Sequence, residues 1–264
     1  MKNKQSKTPL LKTCLIQLIF SPLYGIEEFI PQIQKELRKT GFLETRNNEN
    51  KTVSFNKSID NPVITEDKNW FFISLKNQEI VSINKTQFSL QTDNYTNFET
   101  FIERYKSLLE KFFPIIDSST ITIKQLGLRY INVLRGQKWK EILKDSYHGV
   151  SIADEYRDQG KPWMIASTAQ GMTTIDNSGN TGLLNIRIYQ NNKGNETPLD
   201  IFYPTPQISE DEKLITFFDI DHILRFDTEK EIKAEELIKF GRKLNTLSSK
   251  IYFDALNKDA KADL

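Results

Sequence analysis

QLGLRYINVL, residues 125–134, has the alternation of a β-strand, with Gly127, Arg129, Ile131 and Val133 on one face. An arginine among residues bound for a core is costly to bury alone. It becomes tolerable when a carboxylate meets its planar fork through two hydrogen bonds. The stretch LITFFDIDHILRF, residues 214–226, offers that carboxylate, because Asp219 and Asp221 alternate along a second apolar strand and so share a face. The expectation is an internal ion pair between Arg129 and Asp219 or Asp221 that fixes strand register. Gly127 beside it marks a close backbone approach or a bulge.

Working back towards the N-terminus, Phe98, Phe101, Ile102, Tyr105, Leu108, Leu109 and Phe112 fall on one helical stripe. Thr96 and Glu99 suit a capping box in front of it, and Pro114 suits its end. WFFISL at 70–75 and EIVSINKTQFSLQ at 79–91 are β-rich runs parted by Lys76-Asn77-Gln78, so a hairpin and a third strand, antiparallel in series, are expected. The polar stretch 47–68 predicts a loop flanking a short edge strand, TVSFN at 52–56. Residues 13–20 predict a first strand. A helix follows through Ile26, Phe29, Ile30, Ile33 and Leu37, with Gly41 as its stop and Pro31 as a residue tolerated only near the helix start.

Towards the C-terminus the pattern predicts a short helix near Trp139–Leu143, a polar connection to Lys161, and strands at 163–175, 182–190 and 214–226, with Asn177-Ser178-Gly179-Asn180 as turn chemistry. On the last helix Leu237, Phe240, Leu244, Leu247 and Ile251 recur at steps of three and four. That stripe suits a core face first and a partner-binding seam second. Strands in series with few crossover helices make the fold α+β: curved antiparallel sheet with three main helices. The chain is expected to form a single unit, with possible pseudo-similar halves at 13–135 (β-α-β-β-β-α-β) and 136–264 (a short helix, strands and a closing helix), and flexible tails at 1–8 and 258–264.

Composition narrows the function classes. The 264 residues are 38% hydrophobic, with 17 Phe, 9 Tyr and 3 Trp, enough for a large core. Lys and Arg number 36 against 35 Asp and Glu, so a net charge of +1 sets up no global field for nucleic acid or an anionic membrane. Cys14 is the only cysteine and His148 and His222 the only histidines, an inventory that argues against zinc. One thiol fits a reducing compartment, most simply the cytoplasm. No run of about 18 uninterrupted apolar residues suggests a transmembrane helix.

The candidate chemistry is sparse. Asp219 and Asp221, with side chains about 7 Å apart on a strand, are a pair that can hold Mg²⁺ for chemistry on nucleotides or nucleic acid, with His222 next in line. Otherwise no cofactor is implied. Ser167 and Thr168 lack a nucleophile-elbow context, and the glycines at 171 and 179–182 are not followed by Gly-Lys-Ser/Thr. For a single-stranded nucleic-acid binder, the stacking and phosphate-tracking candidates are Trp70, Phe72, Lys161, Trp163, Arg187 and Tyr189.

LLKTCLIQLIFSP at 10–22, the spacing Tyr95, Phe98, Phe101, the segment GLRYIN at 127–132, and FFDIDHILRF near the last helix occur in this order. Together they resemble a sporadically distributed family of prokaryotic proteins of similar length, over nearly the whole chain. Where that family favours Trp this chain has Phe98, and where it favours an aromatic this chain has His222. The family has no established catalytic residues to carry over. Its patchy distribution resembles that of genes on mobile elements, antiphage-defence modules among them. A large apolar content without an assembled catalytic constellation favours a non-catalytic recognition or accessory protein that binds another protein, and the resemblance implies a defence or toxin-related module as its setting. The metal-dependent enzyme and the nucleic-acid binder are the alternatives, and oligomeric state stays open.

Overall fold

The computed structural model describes residues 11–54, 63–117, 119, 121–135, 143–147, 165–174, 181–191, 215–226 and 233–256. In chain order these form β1 (Leu11–Phe20), α1 (Ile26–Lys39), β2 (Glu44–Ser54), β3 (Val63–Ser74), β4 (Glu79–Asn84), β5 (Gln87–Thr92), α2 (Phe98–Ile116), β6 (Ile123–Arg135), β7 (Ile165–Thr174), β8 (Thr181–Asn191), β9 (Ile215–Arg225) and α3 (Ala234–Ala255). The strands make one nine-stranded antiparallel sheet in the order β2-β3-β4-β5-β1-β6-β9-β8-β7, not closed into a barrel. Three helices and this sheet make the fold α+β, as the strand series implied. Contacts divide the chain into two compact units. One comprises Cys14–Leu128 with Ile223–Lys243, the other Met1–Thr13, Arg129–His222 and Leu244–Leu264.

In the first unit the core follows from period-two strands meeting a helical stripe. Cys14, Ile16, Leu18 and Phe20 on β1 are buried while the residues between them are half-buried. Phe88 on β5 stacks on Phe112 of α2 at 4.5 Å between ring centroids, and Phe20 meets the same ring at 6.1 Å. Every residue of the α2 stripe is buried, each Leu or Phe contributing about 1.5–3 kcal/mol relative to exposure. Gly241 of α3 lies where an added Cβ would come within 2.9 Å of Ile102 Cδ1, so its missing side chain lets α3 approach α2 closely.

The end of α1 is set by backbone chemistry. Gly41, at φ +98, donates to the Arg38 carbonyl and Phe42 donates to that of Leu37, a Schellman closure that needs a left-handed residue. Arg104 of α2 donates to the Thr40 carbonyl at 2.8 Å and to Glu79 Oε2 at 2.9 Å, placing a cation at the negative end of α1. Pro31 sits five residues into the helix, which continues through it because Ile26, Ile33 and Leu37 are buried on both sides of the lost hydrogen bond.

Three expectations need correction. The cap of α2 is Asn97, whose Oδ1 accepts from the Thr100 N–H at 2.9 Å, and not Thr96. Pro114 lies inside α2, which runs on to Ile116, because a proline in the last turn forfeits only one backbone bond. The run 79–91 holds the second and third strands of the expected antiparallel series, divided at Lys85-Thr86, where Asn84 Oδ1 accepts from the Thr86 N–H at 2.9 Å and turns the chain. Finally, 47–68 is not a loop around a short strand. β2 and β3 pair from Glu44↔Ile73 to Ser54↔Val63, since an edge strand needs its backbone ladder more than an apolar face. The expected helix at 139–143, apart from Leu143, the turn at 177–180 and both tails lie outside the described residues.

Candidate functional site

In the second unit, alternation along β9 puts Asp219 and Asp221 on one face and Phe218, Ile220 and His222 on the other. Arg129 of β6 donates through Nε to Asp219 Oδ1 at 2.9 Å and through Nη2 to Oδ2 at 2.8 Å. This is the two-pronged geometry that suits a guanidinium. Arg187 of β8 lies 3.5 Å from Asp219 Oδ2 through Nη1 and donates through Nη2 to Asp221 Oδ2 at 2.8 Å. Asn185, two residues earlier on β8, approaches the same Asp221 oxygen at 3.5 Å and accepts from Gln170 Nε2 of β7 at 2.7 Å. Two guanidiniums therefore face two carboxylates, and their charges cancel.

Exposure falls from the edge of this network inward. The Arg187 side chain is 24% exposed, Asp221 16% and Asp219 0%. Burial raises the Asp221 carboxyl above the usual carboxylate range, outweighing the lowering pull of Arg129 and Arg187. A divalent ion at Asp219 would have to displace Arg129 from both oxygens. Among the described residues no group of three or more His, Cys, Asp or Glu side chains could hold a metal. Removing either partner from a buried pair of this kind leaves an uncompensated charge. The network is thus built to hold strands, with its outer member partly open to water.

His222 belongs to a separate cluster on the opposite face. Its Nε2 is 2.7 Å from Thr173 Oγ1 of β7 and its Nδ1 is 3.3 Å from Ser248 Oγ of α3. Thr173 pairs in register with Gly182 of β8, which has no side chain to stand between them. Burial pushes the imidazole down to about 4, so it is neutral at physiological pH and held at both nitrogens. Asp219, Asp221 and His222, contiguous in sequence reasoning, therefore do not converge on one site. Nearby, Tyr130 donates to Asn245 Oδ1 at 2.7 Å and Asn132 donates to the Phe218 carbonyl at 3.1 Å, tying β6 to α3 and β9.

Among the described residues the nucleic-acid candidates do not form a stacking platform. Trp70 and Phe72 are buried at 5% and 0% exposure, a correction explained by their place in an apolar strand of the core. Arg187 is engaged with two carboxylates. Lys161 and Trp163 lie outside the described residues, as does the side chain of Tyr189. On α3, Leu237, Phe240 and Leu244 are buried, whereas Leu247 and Ile251 are half-buried and the buried line passes through Ser248. A straight helix advances 3.6 residues per turn and drifts off an alternating three-four pattern.

Sequence reasoning missed Arg187 as the second cation, together with Asn185, Gln170, Thr173 and Ser248. The signal for the first two was NIRIY at 185–189, where two polar residues alternate with apolar ones on one strand. Among the described residues no helix is long and apolar enough to cross a membrane. No protein-family model matches the chain, and no curated protein matches it.

Proposed function

We propose that this chain is a non-catalytic recognition or accessory protein that works by binding another protein. One observation supports the reading above others: Asp219, the carboxylate that metal or acid–base chemistry would need, is fully buried and doubly bonded to Arg129, with Arg187 alongside. Groups spent on one another in this way are fitted to hold a scaffold, and turnover needs a carboxylate or imidazole free to exchange protons or ligands. An antiphage-defence or toxin-related module as its setting rests on the resemblance carried by GLRYIN at 127–132.

Purification of the full chain from its native host tests this. The expected result is a stoichiometric protein partner that is still retained by an Asp221→Asn variant. Turnover of nucleotides or nucleic acid with Mg²⁺ or Mn²⁺, abolished in Asp221→Asn, would overturn the proposal in favour of a metal-dependent enzyme. A gel shift on short single strands that weakens steeply with salt would overturn it in favour of a nucleic-acid binder.

A further inference from the structure

We propose that β7 accepts a strand along its outer edge, and that this strand is β7 of a second copy of the chain, antiparallel across a two-fold axis. Among the described residues β7 ends the strand order and pairs with β8 alone. The pairing runs unbroken from Ile165↔Gln190 to Thr174↔Thr181, without a bulge to twist the edge away. A regular edge presents a row of N–H and C=O groups that template another strand. At the other end of the sheet, β2 (ETRNNENKTVS) carries Glu44, Arg46, Glu49 and Lys51, the charges that commonly protect an edge. β7 (IASTAQGMTT) has ten residues, none charged and none proline. Ala169, Gln170, Gly171 and Met172 are exposed, Met172 at 69%, and a Cβ added to Gly171 would meet nothing within 4 Å.

Charge and symmetry together select the occupant. An uncharged strand gains nothing from an acidic or basic peptide, whereas a copy of itself sets no like charges opposite each other in any register. A two-fold axis normal to the sheet keeps each side chain on the same face in both copies, so residue i can oppose residue j only when i + j is even. The axis then passes beside a single residue. The exposed stretch places it at Gln170 or Gly171.

Light scattering on the full chain should find a dimer. Lysines at Ala169 and Met172, on the two faces of the exposed edge, should return it to a monomer with its circular dichroism unchanged. Gln170→Cys and Gly171→Cys, prepared separately and oxidised, should yield an interchain disulfide in whichever variant lies on the axis, where opposed Cα atoms come within bonding range. Buried Cys14 should contribute no background. A monomer at every concentration, or a dimer indifferent to the lysines and cross-linked by neither cysteine, overturns the proposal. Recognition of a different protein does not depend on this edge and survives either outcome.

Discussion

Arg129 and Asp219, 90 residues apart in sequence, are joined by two hydrogen bonds of 2.9 and 2.8 Å in the interior. Their separation makes the pair a long-range staple between β6 and β9. Arg129→Met should lower unfolding free energy by about 3–5 kcal/mol, because Asp219 keeps its charge and loses its main partner. Arg129→Met with Asp219→Leu should recover much of that loss, since Arg187 and Asp221 remain as a balanced pair. Urea unfolding of the two variants and wild type decides this. A double variant as unstable as the single one would show that the staple's worth lies elsewhere.

Asp221 should give an inverted pH signature. Its folded carboxyl is raised by burial, so between the unfolded value, about 3.9, and the folded one the native chain holds more protons. Stability contributed at this residue therefore falls as pH rises through that window. Against Asp221→Asn, wild type should lose ground as pH rises from the unfolded carboxyl value through the raised folded one. A gap that moved the other way would mean that Arg187 governs the carboxyl more than burial does.

His222 runs in the opposite direction. An imidazole lowered from 6.5 to about 4 by burial takes up a proton more readily when unfolded, so the native state weakens as pH falls through that interval. The loss should be roughly 3 kcal/mol over the whole interval, at about 1.4 kcal/mol per unit, with about 2 kcal/mol of it between pH 7 and pH 5. His222→Gln should flatten this slope. Denaturant midpoints at pH 7 and about pH 5 provide the measurement.

Tyr105 is wholly buried in α2, and among the described residues its hydroxyl has no hydrogen-bond partner. The same burial raises its pKa well beyond the ordinary phenol range. Tyr105→Phe removes an unsatisfied oxygen and keeps the ring against Phe88. Thermal unfolding should show a gain of about 1 kcal/mol or more. A loss would reveal an undetected partner for that oxygen.

Legibility followed the physics of each element. The α2 stripe was plain because seven apolar residues repeat at 3.6, and β6 was plain because its run of large apolar residues suits a strand buried on both faces. The chemistry of Arg129 pointed to a carboxylate on a distant strand, since few other groups neutralise a guanidinium. Arg187 was harder to place: an arginine on a strand looks the same to periodicity whether it faces a phosphate or an aspartate. β2 was underestimated because its polar side chains hide a ladder made by the backbone. His222 lay beside Asp221 in sequence, and only the pleat separates them, sending one side chain to each face.

The order β6-β9-β8-β7 has a consequence during synthesis. Strands β7 and β8 leave the ribosome before β9, yet β9 is the piece that sits between them and β6. At about 5–20 residues per second, the side of β6 that carries Arg129 waits for several seconds or more until Asp219 is made. The nascent chain must keep a solvated guanidinium and an open strand border waiting for a late arrival. Until β9 is in place, β7 and β8 have no strand to join them to β6.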